Sequence, residues 1–318
     1  MLNVQRMRIL REVAGRGTVA AAAEALWVTP PAVSQQLATL EHEAGVPLLE
    51  REGRRFRLTE AGRRLVAHTE RVLAELEAAQ ADLDAAASGI SAHLRISAFP
   101  TAARSMIIPA LATLRVRHPM LRLSMTDLEP EESMPALKAG RLDLVVTYEW
   151  GVLPNIEDPG VEREQLLVEP IYLAMPATHA CAGRPASVRD FVDEQWIVGR
   201  DQTSMLDLVV TSANRAGFEP KTDFHSMDFE IIVAAVGAGL GVALLPPLGL
   251  FVRHPDVDFQ PLADMSVNRR VYAAIRRGSG GNPALAAVLD ALREASESLS
   301  CRLDRAPGEP PAPLAAGG

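Results

Sequence analysis

Cysteine is nearly absent from this sequence. Cys181 and Cys301 are the only two in 318 residues, and they match neither a zinc spacing nor a redox pair, so both are read as reduced thiols. A secretory leader is also missing: the opening Met1-Leu-Asn-Val-Gln-Arg-Met-Arg-Ile-Leu-Arg11 alternates apolar and charged residues, and a cytoplasmic location is expected. No constellation supports catalysis. His179 and Cys181 stand two apart in a loop-like stretch without an acid partner, and Glu131-Glu132 reads as the solvated first turn of a helix. No enzyme, metal or cofactor is therefore expected. Residues 231–252 carry no charge, which by length would pass as a membrane span. Gly237, Gly239, Gly241, Pro246 and Pro247 break that run into a buried helix, a glycine turn, a short strand and a second turn, so no membrane partner is expected. The same glycines follow a helix and precede a strand, the wrong order for a dinucleotide phosphate loop.

The length allows two domains with full cores. A net charge of −8 disfavours a nucleic-acid partner at first sight, because phosphate neutralisation by Lys and Arg supplies most non-specific affinity. The distribution reverses this. Residues 1–71 hold eleven arginines against eight glutamates, so that segment is +3 and the remainder is −11.

Residues 18–44 read as two short helices joined by a tight turn. Thr18 is the expected N-cap of a helix over 19–26, with Ala20, Ala23 and Leu26 on one side; Thr29 is the expected cap of a second helix opened by Pro30 and Pro31. Val33, Leu37, Leu40 and Ala44 form its buried stripe and leave Pro31, Ser34, Gln35, Ala38 and His42 on the open face. A helix in the major groove reads bases from its N-terminal turns, which makes Ser34, Gln35 and Gln36 the candidate readers, with Thr29, Pro30 and Pro31 beside them. An ordinary helical hairpin is the alternative. A helix over 4–14 braces the pair from in front. Behind it, residues 45–59 place extended pieces about Glu52-Gly53-Arg54, a small wing where Arg51, Arg54, Arg55 and Arg57 crowd together. Their natural use is phosphate contact or insertion into a narrow minor groove, so double-stranded DNA is the expected partner.

From Thr59 to about Ser88 one long helix is expected. Leu65, Val72, Ala79 and Ala86 are seven apart, and Thr69, Leu76, Leu83 and Ile90 form a second series, together the seam of a coiled coil. Leu65, Val72, Leu76, Ala79 and Leu83 are the expected dimerisation residues, and a dimer supplies two readers for an interrupted palindrome. Beyond Ser88-Gly89-Ile90-Ser91 the texture becomes α/β. Strands over 94–98, 121–127 and 142–147 alternate with helices over 101–117 and 131–139. A second series places strands over 166–168, 171–175, 196–198, 224–227 and 242–245 and helices over 205–216 and 229–237; a strand over 270–276 and a helix over 283–299 return to the first half. The tail from Arg305 cannot bury a core and is expected to be disordered.

Four motifs, Thr18-x-x-x-Ala-Ala-x-x-Leu26, Pro31-Ala-Val-Ser-Gln-Gln-Leu-x-x-Leu-Glu41, Gly45-Val-Pro-Leu-Leu-Glu-Arg51 and Leu58-Thr-Glu-Ala-Gly62, resemble those of LysR-type transcriptional regulators. Gly140-Arg-Leu-Asp-Leu144, Pro176-Ala-Thr-His179 and Val236-Gly-Ala-Gly-Leu-Gly-Val-Ala-Leu-Leu-Pro246 extend the likeness to about Leu299. The resemblance implies an α+β multidomain chain: a winged helix-turn-helix over 1–59, a linker and dimerisation helix over 60–90, and a two-lobed α/β effector domain over 91–302, similar to periplasmic binding proteins. Lobe one is expected over about 91–162 and 269–302, lobe two over about 163–268, and the tail over 303–318. It further implies a homodimer or homotetramer, a small-molecule effector between the lobes, and RNA polymerase as a candidate partner. Pro30 and Gln35 depart from the residues common in the family, which shifts the sequence preference because Pro offers no donor to a base. Phe99, Thr101, Ala102, Thr147, Thr203, Ser204, Met205 and Ser226 are the expected cleft lining, at strand ends and helix starts. Ala102 and Ala103, where a second polar residue is frequent, weaken the case for a carboxylate-rich effector, and Phe99, Met205 and Met227 hint at a partly apolar one. An enzyme or transport receptor with an appended helical domain is the competing class.

Overall fold

A computed structural model of the chain describes residues 1–52, 55–86, 92–154, 158–250 and 254–303. Expectations about Gly53 and Arg54, the side chains of Arg55 and Ala86, Ile90 and the tail from 304 lie outside them.

Asn3 accepts hydrogen bonds from the N–H groups of Gln5 and Arg6 and starts α1 (Val4–Arg16), which ends on Gly17 in the left-handed region at φ 73°. Thr18 Oγ1 accepts from Ala21 N at 3.2 Å and starts α2 (Val19–Leu26). Two prolines open α3 (Pro30–Ala44), and β1 (Leu49–Glu52) and β2 (Arg55–Leu58) pair as the wing. Met7, Leu10, Val13, Ala22, Ala23, Val33, Leu37, Leu40 and Leu48 close one small core. Glu41 Oε1 accepts from Leu48 N and Leu49 N at 2.8 and 3.1 Å, which ties the wing to α3. Gly62, in the first turn of α4 (Glu60–Ala86), is required because a Cβ there would stand 2.1 Å from Leu48 O.

The second domain opens with β3 (His93–Ala98), followed by a helical run of α5 (Pro100–Ala102), a π-turn over Ala103–Ile107 and α6 (Ile108–Arg117). Then come β4 (Arg122–Asp127), α7 (Pro130–Lys138), β5 (Leu144–Trp150) and β6 (Val161–Pro170). The second lobe carries β7 (Tyr172–Pro176), β8 (Gln195–Val198), α8 (Ser204–Ala216), β9 (Lys221–His225), α9 (Phe229–Gly237), β10 (Ala243–Leu245) and β11 (Val257–Pro261). Finally β12 (Asn268–Arg276) and α10 (Pro283–Leu303) return to the first lobe.

The sheet of lobe one runs β4-β3-β5-β12-β6, parallel through its first three strands and antiparallel at β12 and β6. Because β6 stays in this sheet to Pro170, the seam between lobes falls after Pro170, not at 162–163. Glu162, Arg163, Glu164 and Gln165 hide the first half of that strand from a search for apolar runs; they are tolerated because β6 is an edge. Lobe two holds a three-stranded antiparallel sheet, β10-β7-β11, and a parallel pair, β8-β9. Strand β11, with only Val257 and Phe259 as large apolar residues, was not expected, and β9 lies earlier than the expected 224–227. The uncharged run folds as α9, a turn through Gly239 and buried β10, and a Cβ at Gly241 would reach 2.4 Å from Gln195 O. No helix among the described residues is long and apolar enough to cross a membrane.

The two domains touch. Arg8 Nη2 donates to Ala139 O at 3.1 Å and Arg11 Nη2 to Lys138 O at 2.9 Å, so α1 supplies two guanidinium groups to the carbonyl end of α7. Arg276 pairs with Glu77 of α4 at 2.7 Å, and Arg11 with Glu70 at 3.6 Å.

Candidate functional site

The reader face is built by contrast of burial along α3. Val33, Leu37 and Leu40 are buried while Thr29, Pro30, Pro31, Ser34 and Gln35 are exposed on its first turns. Thr29 holds the N-cap backbone position, but its side chain makes no cap bond, because the prolines at the start leave fewer N–H groups to satisfy. Gln36 is turned inward, its Oε1 accepting from Arg6 Nε at 2.9 Å, and so braces α1. In the wing, Arg51 stands opposite Phe56 and Arg57 opposite Glu50, so the two exposed arginines point to opposite faces of the ribbon. Trp27, in the turn between α2 and α3, is 79% exposed in the left-handed region at φ 57°, with Arg141 of the second domain 6.0 Å from its ring.

Along α4 the expected seam divides. Leu65 packs partly against the winged-helix core, and Thr69 is buried with its Oγ1 donating to Leu65 O. Val72, Leu76, Ala79 and Leu83 are exposed, Leu76 at 53% and Leu83 at 67%, at the four- and three-residue spacing of a seam.

The cleft between the lobes has two parts. In the inner part Arg269, 2% exposed, pairs with fully buried Glu169 at 2.6 Å, and its Nη2 donates to Thr101 Oγ1 at 3.3 Å. Its guanidinium lies 4.8, 5.2 and 5.6 Å from the rings of Phe99, Tyr148 and Trp150. The other Glu169 oxygen accepts from Leu248 N of lobe two at 2.9 Å. Burial pushes the Glu169 carboxyl up, against the pull of Arg269. Tyr148 donates to Glu129 Oε2 at 3.1 Å; burial raises the Glu129 carboxyl and holds the Tyr148 phenol well above its ordinary value. These groups leave a crevice of only about 20 Å³, lined among others by Phe99, Thr101 and Met205.

The outer part is a cavity of about 470 Å³ between α7 and α8, which includes Thr147 and Ser204 together with Glu131, Trp150 and Asp207. Across it Glu131 Oε1 accepts from Ser204 N at 2.8 Å, capping the second lobe's helix from the first lobe. Glu131 is therefore more than a solvated first-turn residue. Arg215 Nη2 reaches Val152 O at 2.9 Å in the same cleft. Of the expected lining residues, Ala102 is buried in the core, while Thr203 and Ser226 line neither space, being engaged with Arg200 O and Asp228 N. Sequence reading missed Arg269, Glu169, Glu129, Tyr148 and Trp150. Glu169 and Arg269 stand near the ends of strands that carry other charged residues, so no pattern in the sequence singled them out.

His179 and Cys181 have a local role: His179 Nδ1 accepts from Cys181 N at 3.1 Å, and its ring stacks on Phe191.

The family model for bacterial regulatory helix-turn-helix proteins of the lysR family matches residues 4–63, and that for the LysR substrate binding domain matches 87–297. The chain belongs to the LysR family. As a LysR-family regulator it combines helix-turn-helix DNA binding with a C-terminal effector-binding domain and acts as an oligomer. A probable HTH-type transcriptional regulator of Synechococcus elongatus is 28% identical over 94% of this chain and 99% of its own length. A probable hydrogen peroxide-inducible genes activator of Streptomyces viridosporus is 30% identical over 89% and 91%. Among solved structures, a Corynebacterium glutamicum OxyR mutant superposes with a TM-score of 0.59 at 22% identity, covering 96% of this chain and 94% of that one. Full-length CbnR in complex with its target DNA matches at 0.51 and 25%, covering 93% and 100%.

Proposed function

We propose that this LysR-family chain is a cytoplasmic transcription factor, without enzymatic activity, that binds an interrupted palindrome as a dimer or tetramer and is switched by a small molecule in the interlobe cleft. Ser34 and Gln35 read base edges, while Arg51, Arg54, Arg55 and Arg57 of the wing hold the backbone or minor groove. Val72, Leu76, Ala79 and Leu83 make the dimer seam, which places two readers on one duplex. Thr147 and Ser204 contact the effector. The observation that carries this reading is the two-sided α3, with a buried stripe behind and polar first turns in front.

The test is a mobility shift with the chain's own upstream DNA across a salt titration. Binding that weakens steeply with salt yet survives excess unrelated duplex is expected. Salt-insensitive or absent binding contradicts the proposal.

A further inference from the structure

Trp27 closes α2 in the left-handed region, a place that glycine takes freely and a bulky residue only against strain. Packing within the domain does not offset that strain, because the ring is exposed and lies outside the winged-helix core. The ring instead faces the guanidinium of Arg141, in the turn between α7 and β5 of the effector domain. Other cations crowd the same turn: Arg95 donates to Gly140 O and Arg276 to Leu142 O, and these two are paired with Asp143 and Glu77. Arg141 differs. Its side chain makes neither an ion pair nor a hydrogen bond among the described residues. Arg8, which reaches Ala139 O of this turn from α1, makes no ion pair among them either. Two residues beyond Trp27, Thr29 leaves its hydroxyl unused by the start of α3. An exposed indole, cations without counter-ions and the open first turn of a helix are complementary to a phosphodiester backbone, and they continue the proposed reading face without a break.

We propose that Trp27 and Arg141 together grip the DNA backbone beside the reader helix, the guanidinium on a phosphate and the indole against the adjoining sugar, so that the effector domain itself touches the duplex. This rests on the reading that α3 enters the groove. The ring face of Trp27 holds the guanidinium in place for that contact. Only the docked arrangement of the two domains completes the grip, so a change in docking is read directly as a change in affinity for DNA.

The test uses the full chain and duplexes carrying its own upstream site, with single methylphosphonate linkages, each of which removes one backbone charge, stepped along both strands. Arg141→Gln is expected to weaken binding to all duplexes about fivefold and to reduce the salt slope by about 1. One linkage beside the half-site should cost the parent a similar factor and cost Arg141→Gln nothing. Trp27→Gly, which relieves the backbone strain, is expected to melt within about 2 °C of the parent and to bind DNA about threefold more weakly. The proposal is overturned if Arg141→Gln keeps the parent's salt slope, if every linkage costs variant and parent alike, or if Trp27→Gly binds as the parent does. The parent's own titration separates the two readings. Absent or salt-insensitive binding by the parent overturns the reader itself, whereas salt-sensitive binding whose slope Arg141→Gln leaves unchanged overturns this contact alone.

Discussion

Arg269 and Glu169 face each other in register on neighbouring strands β12 and β6, both essentially buried, with the carboxylate also holding Leu248 N across the lobe boundary. The pair thus sits where the chain passes between lobes. Arg269→Met strands a buried carboxylate and is expected to cost about 3–5 kcal/mol. Adding Glu169→Gln removes the stranded charge, keeps an acceptor for Leu248 N and should recover much of that loss. Chemical denaturation of both variants checks this; a double variant no more stable than the single one would sink the argument.

A second expectation concerns pH. Glu129 is raised above its ordinary value of 4.5 by burial, so in the folded chain it keeps its proton to higher pH than in the unfolded chain. Its contribution is greatest at low pH and is lost as pH rises from about 4.5 through the raised value. Glu129→Gln removes that loss. The melting point of the variant relative to the parent should therefore climb between pH 4.5 and 7, and a constant difference would contradict the assignment.

How much of this was legible from sequence depended on whether a residue acts within its own helix. Val33, Leu37 and Leu40 are buried by α3's own spacing, and that stripe is visible in the sequence. Gln36 is not, because its orientation is set by Arg6 on another helix. Arg11 and Glu12 are buried though charged, since α4 and the second domain cover α1, a fact no helical period encodes. In the cleft, Ser204 follows from helix-start logic, whereas Thr147 lies in the middle of β5 and not at the strand end where it was expected. Arg269 does not, because its aromatic box gathers Phe99, Tyr148 and Trp150 from positions far away in the chain.

Assembly gives a third prediction. Leu76→Glu places a charge in the exposed seam of α4 and should yield monomers by analytical ultracentrifugation, with the melting point of the monomer's effector domain unchanged. Sedimentation as the parental oligomer would remove α4 as the dimer contact.

A fourth concerns the DNA contacts. Gln35→Ala should alter preference between sites, by about 1–3 kcal/mol of discrimination at the base it reads. Arg57→Ala should weaken all duplexes alike and reduce the salt slope by about 1. Uniform loss from both variants would erase the division between base reading and phosphate contact.

Helix α7 is gripped at both ends: Glu131 in its first turn caps a helix of the opposite lobe, and the carbonyls at its far end take Arg8 and Arg11 from the DNA-binding domain. At 1.5 Å per residue its nine residues form a strut of about 13 Å with no loop to absorb displacement. The interlobe cleft and helix α1 of the DNA-binding domain therefore lie on opposite ends of one crossbeam. Helix α1 is the part of the DNA-binding domain that rides on the end of that beam opposite Glu131.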